Sequence, residues 1–208
     1  MKKLLVLLFS FFLLSSPSVF ADDISDFQIE GINIGDSLLD YMSEDEILKE
    51  IGRTKDWYHF LKEPNKYVNI FLEGEFLNYD YLGFMVRNNS SNTYVTNKNE
   101  KYEILSIVGD KSYLENFDSC IEKRNEIAEI FSKSFPNADK FEGIDKINSD
   151  SSGRSIVDQI TFQFDSNFTI SVLCDNYEET FRLKNKWSEG LRVKILTNEI
   201  DEWLLDLD

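Results

Sequence analysis

The spacing of apolar positions changes several times along the chain, and each change marks an element. Leu4 to Leu14 is an almost unbroken apolar run behind Lys2 and Lys3, with Ser10 its only polar member. From Phe27 the apolar positions alternate: Phe27 and Ile29, then Ile32 and Ile34 beyond Gly31, the pattern of a short strand bent at a glycine. Gly35-Asp36-Ser37 opens a helical turn that Asp36 or Ser37 can cap. Ser43 and Glu46 then form a capping box for a helix that stops at Gly52. Beyond Lys55, short aromatic and β-branched segments cover 57–61, 67–72, 79–87, 93–96 and 102–108. Their tight spacing predicts antiparallel hairpins.

A helical period takes over at about 113–135, behind a second capping box of Ser112 and Glu115. Leu114, Phe117, Cys120, Ile121, Ala128, Phe131 and Phe135 share one side of it, and Glu122, Glu126, Glu129 and Lys133 the other. Pro136 ends it. Residues 137–154 read as a polar connection, least structured at 149–154. Strict alternation then returns: Ile156, Ile160, Phe162 and Phe164 lie on one face, and Phe168, Ile170, Val172 and Cys174 answer them beyond the turn Asp165-Ser166-Asn167. A three-residue loop pairs Phe164 with Phe168 and Phe162 with Ile170. Residues 177–187 fit a short helix or an irregular crossing. A last strand follows Gly190, and an amphipathic helix begins at Asn198, with Ile200, Trp203, Leu204 and Leu207 at i, i+3, i+4, i+7. The expectation is an α+β fold: one antiparallel sheet of six to eight strands, with the 113–135 helix and the N- and C-terminal helices packed mainly on one face. No repeat or linker divides residues 22–208, which read as a single domain.

The first 21 residues stand apart. Their positive start, short apolar run and Val-Phe-Ala ending form a secretory signal peptide cut after Ala21, too short to span a bilayer. Cleavage removes two lysines and no acid, so the formal charge moves from −16 to −18. Such acidity opposes binding to nucleic acid or to anionic membranes. The expected compartment is the periplasm, and the mature chain is expected to be soluble.

An exported chain with two cysteines invites pairing. Cys120 lies on the apolar side of the long helix and Cys174 on the apolar face of a strand, so both point into one layer if that helix packs on that sheet. A structural disulfide is the first reading, with two buried thiols as the alternative. A bridge would close a 55-residue loop, worth roughly 4 kcal/mol on the loop-entropy argument. No Cys-x-x-Cys favours redox catalysis. His59 is the sole histidine: a histidine metal site lacks partners, and any triad would have to be built on this one residue, which between Tyr58 and Phe60 in an expected strand reads as a half-buried or surface side chain instead. No nucleophile elbow, phosphate loop or calcium loop occurs, and neither cofactor nor metal is expected. Among the aromatics, Trp57, Tyr58, Phe60, Tyr67, Tyr79 and Tyr81 fall on neighbouring segments, and some must lie off the core, where they could stack on sugars or peptide groups. Asp36, Asp40, Glu44 and Asp45 form an acidic rim around the opening turn, a candidate docking surface.

The stretch FQIEGINIGDSLLDYMSEDEI and the terminal GLRVKILTNEIDEWL resemble a group of small exported proteins of marine alphaproteobacteria. That resemblance covers essentially the whole mature chain; it implies export and transfers no functional residue. The opening strand–glycine–helix is also similar to that of periplasmic α+β modules of the SmpA-like and inhibitor-like type, which favours α+β over a sandwich. Those modules are shorter and usually carry Met or Thr where Asp36 stands. The functional expectation is a non-enzymatic periplasmic binding or envelope-accessory module, whose partner would be an envelope protein or a small ligand. The alternative is a carboxylate-dependent hydrolase acting on periplasmic glycan or peptide.

Overall fold

The computed structural model describes residues 27–57, 66–88, 100–114, 116–165 and 168–206. Residues 1–21, expected to be a signal peptide, the segments 58–61 and 93–96 with His59, and Leu207 lie outside the described residues. The opening is a hairpin rather than a bent strand. Strands β1 (Gln28–Ile29) and β2 (Ile32–Asn33) pair antiparallel. The chain reverses through Glu30 and Gly31 at φ 53° and 81°, left-handed values that suit glycine and cost a side chain some strain. Glu30 is held there by its own carboxylate, which accepts from the backbone N–H of Leu77 at 3.0 Å and of Asn78 at 2.8 Å.

Ser37, not Asp36, caps the following 3₁₀ turn (Leu38–Asp40), its hydroxyl accepting from Leu39 N–H. The capping box of Ser43 and Glu46 opens α1 (Glu44–Thr54) as expected: Glu46 N–H donates to Ser43 and Ser43 N–H to Glu46. Gly52 does not end α1. Thr54 carries the helix past it, its Oγ1 reaching the Asn69 carbonyl at 2.7 Å and the Glu50 carbonyl at 3.0 Å.

The main sheet contains β3 (Tyr67–Leu72), β4 (Tyr81–Arg87), β5 (Ile104–Ser112), β6 (Asp139–Lys146), β7 (Ile156–Phe164), β8 (Phe168–Asn176) and β9 (Gly190–Thr197). These seven antiparallel strands stand in the order β3-β4-β5-β9-β8-β7-β6. The β7–β8 hairpin has the predicted register, Phe164 opposite Phe168 and Phe162 opposite Ile170. Gly190 begins β9 at φ 142°, where a Cβ would sit 2.3 Å from the Lys111 carbonyl, so only glycine fits.

Helix α2 (Phe117–Ser134) starts later than the second capping box predicts. Ser112 belongs to β5, opposite Gly190, with its N–H bound to Asp80 at 2.8 Å; Asn116 caps the helix, its side chain accepting from Ser119 N–H. The connection after α2 is also more ordered than the polar pattern implies. It contains β6, which is exposed along its whole length. Asp150 then folds 149–154 into a tight loop, accepting from the N–H groups of Ser152 and Ser155 and from the Ser152 hydroxyl at 2.7–2.9 Å. The crossing after β8 forms α3 (Glu179–Asn185), and α4 (Asn198–Leu205) closes the chain.

Two clusters divide the sheet. The first face carries Ile70, Phe84, Ile107, Phe162, Ile170, Val172 and Ile195 against Ile47 of α1 and Cys120, Ala128 and Phe131 of α2. Cys120 and Cys174 are disulfide-bonded in this layer, with Cα atoms 6.0 Å apart. Helix α4 does not join the others. Its Ile200 is buried on the opposite face with Tyr67, Met85, Leu105 and Leu196. A bulge in β5 aims Leu105 there, since the register steps between Met85–Ser106 and Val86–Ile104. Among the described residues no helix is long and apolar enough to cross a membrane.

Candidate binding face

The acidic rim is largely tied into the fold. Asp36 accepts from Asn33 N–H at 3.0 Å and from the Tyr41 hydroxyl at 2.6 Å. Burial raises its carboxyl pKa, but these bonds outweigh burial and hold it below the ordinary value. Glu44 pairs with Lys101 at 3.2 Å and accepts from Tyr102. Asp40 and Asp45 are exposed at the surface.

A carboxylate hydrolase needs two convergent acids. An open groove of about 300 Å³ between α2 and the β6–β7 edge brings Glu129 and Glu142 to one place. Each is neutralised by a lysine of its own element at 2.6 Å, Lys133 and Lys140 respectively, and each is held below the ordinary carboxyl range by that bond. Neither is poised to donate a proton.

The second sheet face offers more. Its middle is a line of side chains on adjacent strands, set by the register: Phe71, Gly83, Val108, Lys194, Ser171, Thr161 and Phe141. On one side of this line α4 covers Tyr67, Met85 and Leu196. On the other lies the 177–189 crossing, where Tyr177 and Phe181 pack edge to face on Trp187 at 5.1 and 5.2 Å. The line between them is the floor of a trough. Trp57 stands at one end over Phe71 and is 52% exposed; Phe141 stands at the other end and is 56% exposed.

Beside the floor runs a charged strip, Tyr81, Asp110, Arg192 and, one row further, Asp175. Arg192 donates from Nε to Asp110 at 2.8 Å and pairs through Nη1 with Asp175 at 3.1 Å. Burial raises both carboxyl pKa values, an effect that Arg192 partly offsets. Arg192 itself is desolvated, yet the two acids hold it firmly protonated. Tyr81 and Tyr177 complete the strip with hydrogen bonds to Asp110 and Asp175.

Lys194 differs from this bonded strip. It is half-buried, burial and the neighbouring Arg192 charge push its pKa down, and Asp201 of α4 offsets this only in part. No hydrogen bond or ion pair reaches it from the described residues. Next to it Ser171 and Thr161 share one hydroxyl–hydroxyl bond of 2.9 Å. Of the aromatic set, Trp57 and Tyr81 flank this face, Tyr67 lies under α4, and Tyr79 packs into the first-face core against Gly109. Tyr58 and Phe60 lie outside the described residues. Among the described residues no three His, Cys, Asp or Glu side chains come together as a metal site.

Sequence reasoning left Arg192 and Lys194 unremarked. The alternation Leu191-Arg192-Val193-Lys194-Ile195 was the available signal, since it places two cations on the face opposite three core residues. Compared with protein-family models, curated proteins and solved structures, the chain matches none.

Proposed function

We propose that this chain is exported by residues 1–21 and serves in the periplasm as a non-enzymatic binding or envelope-accessory module that takes its ligand in the second-face trough. In this reading α2 is the long helix of an α+β scaffold, with α1 and α4 packed on the same sheet. The observation that carries it is the trough itself: a floor one residue wide between two covered zones, with half-exposed aromatic ends and, at its centre, Lys194, which no described residue bonds. The Cys120–Cys174 bond supports an oxidising compartment. The module would be isolated from native periplasm and its ligands identified by mass spectrometry after denaturation. The expected result is a small molecule released stoichiometrically, together with a mature N-terminus at Asp22. A chain that keeps its first 21 residues in the cytoplasm, or that releases nothing at any stoichiometry, overturns the reading.

The hydrolase reading is second, favoured by the raised pKa values of Asp110 and Asp175. Against it, the Arg192 guanidinium occupies the gap between the two acids where water or substrate would have to enter. Turnover of periplasmic glycan or peptide that is lost in both Asp110→Asn and Asp175→Asn would reverse this order.

A further inference from the structure

Strand β6 ends the seven-stranded sheet, and among the described residues nothing pairs with its outer side. All of Asp139 to Lys146 pairs with β7 without a bulge, no proline interrupts the strand, and every residue in it is exposed. Phe141 and Ile144 keep 56% and 63% of their surface in solvent. A long, regular edge of this kind is a template for another strand unless something covers it. The β7 register fixes its two sides: Asp139, Phe141, Gly143 and Asp145 lie on the second face, and Lys140, Glu142, Ile144 and Lys146 on the first.

The order of charges along β6 selects the strand that fits. A second copy laid antiparallel against it is related by a two-fold axis normal to the sheet. That axis keeps each side chain on its own face, so opposed residues must share a face. Centred on Glu142, such a pairing opposes Asp139 to Asp145 and Glu142 to itself. Centred on Gly143, it opposes Lys140 to Lys146 and Phe141 to Asp145. Centred on Ile144, it sets Glu142 against Lys146 but leaves Phe141 beyond the end of the opposing strand. Centred on Phe141, it sets Lys140 against Glu142 on both sides of the axis, Asp139 against Gly143 and Phe141 against its own counterpart, with no like charges opposed. Lys140 and Glu142 already meet within one strand at 2.6 Å, so four charges of alternating sign would surround the axis. An aromatic pair across the ladder arises only with this centre.

We infer that β6 is the interface of a two-fold dimer of this chain, formed by antiparallel β6–β6 pairing centred on Phe141. The row that floors the trough ends at Phe141, so the same axis joins two floors end to end and two seven-stranded sheets into one. The pairing does not depend on what the trough binds. The acidity of the chain opposes it, since residues 22–208 carry a formal charge of −18 and β6 itself has three acids against two lysines. Repulsion between whole molecules is screened beyond about 8 Å at physiological salt, whereas the edge contacts are made at hydrogen-bond range. The dimer therefore tightens as salt rises.

Sedimentation equilibrium of residues 22–208 over a range of salt tests this. The parent should dimerise reversibly with a dissociation constant below about 1 mM that falls as salt is added. Phe141→Lys lowers the net negative charge and should still weaken the dimer at least about tenfold. Lys140→Glu and Glu142→Lys should each weaken it about tenfold, and the double reversal should restore the parent value. On air oxidation Phe141→Cys should give a covalent dimer and Ile144→Cys should not, because the first pair meets at the axis and the second stands about 20 Å apart. Each variant should keep the circular dichroism spectrum of the parent, since these side chains are exposed. A protein that stays monomeric at about 1 mM in high salt overturns the dimer and leaves this edge to a strand of another protein. A dimer indifferent to Phe141→Lys, a double reversal that does not restore it, or cross-linking through Ile144→Cys in place of Phe141→Cys overturns the pairing.

Discussion

Glu199, in the first turn of α4, accepts both arms of Arg87 at 2.6 and 2.7 Å and the Tyr67 hydroxyl at 2.5 Å, with Lys66 at 3.6 Å. Thr197, the N-cap of α4, makes no capping bond, so this carboxylate is the helix's main polar anchor. The Arg87 bonds dominate, against a smaller opposing effect of burial, and Glu199 is lowered from 4.5 to about 2. A depressed carboxyl pKa stabilises the fold above the unfolded value and loses that contribution as pH falls through the folded one. The window is therefore pH 4.5 down to about 2. Glu199 is about one-third exposed, and solvent screening reduces the full linkage value to about 1–2 kcal/mol. Thermal melts of the parent and of Glu199→Gln should differ by that amount at pH 7 and converge near pH 2; a constant gap across the window would assign the loss to other acids. None of this was legible from spacing. Tyr67, Arg87 and Glu199 are far apart in the chain, and only the sheet order brings them together. Asp36 shows the opposite case, where a residue visible in sequence as a surface acid is used by its own turn.

The elements that sequence pattern found are those with one buried face. The β7–β8 hairpin was readable to the residue because Phe162, Phe164, Phe168 and Ile170 alternate against polar partners. Strand β6 was invisible because Asp139 to Lys146 offers no buried face, with Phe141 and Ile144 pointing to opposite sides of an exposed edge. Helix α2 was found but started too early, because Ser112 and Glu115 mimic a capping box while β5 still runs. The pairing of α2 with β8 through Cys120 and Cys174 followed from both faces being apolar. The bond closes a 55-residue loop across both elements, and its loss should cost up to about 4 kcal/mol. For a chain of this size that is a fall of about 8–16 °C in Tm. Melting the Cys120→Ala/Cys174→Ala variant against the oxidised parent checks this, and coincident melts would show that packing of Phe131 and Ala128 alone holds α2 in place.

At the scale of the whole molecule, the α+β class was legible from the succession of periods, whereas the trough was not. Its floor is drawn from all seven strands and exists only once the register of every neighbouring pair is fixed. The sheet order also bears on how the chain comes together. β9 is the last strand in sequence and the fourth of seven in space. Everything before residue 190 can form only two half-sheets, β3-β4-β5 and β6-β7-β8, whose inner edges β5 and β8 await the same partner. A protein ending at Glu189 should therefore lose cooperative melting and aggregate, whereas one ending at Thr197 should keep the closed sheet and lose only the α4 side. Equal solubility and equal melting of the two would refute this. A chain delivered N-terminus first thus stays open along its centre until almost all of it has emerged. The keystone arrives last, so the seven-stranded sheet closes only when its final strand enters between β5 and β8.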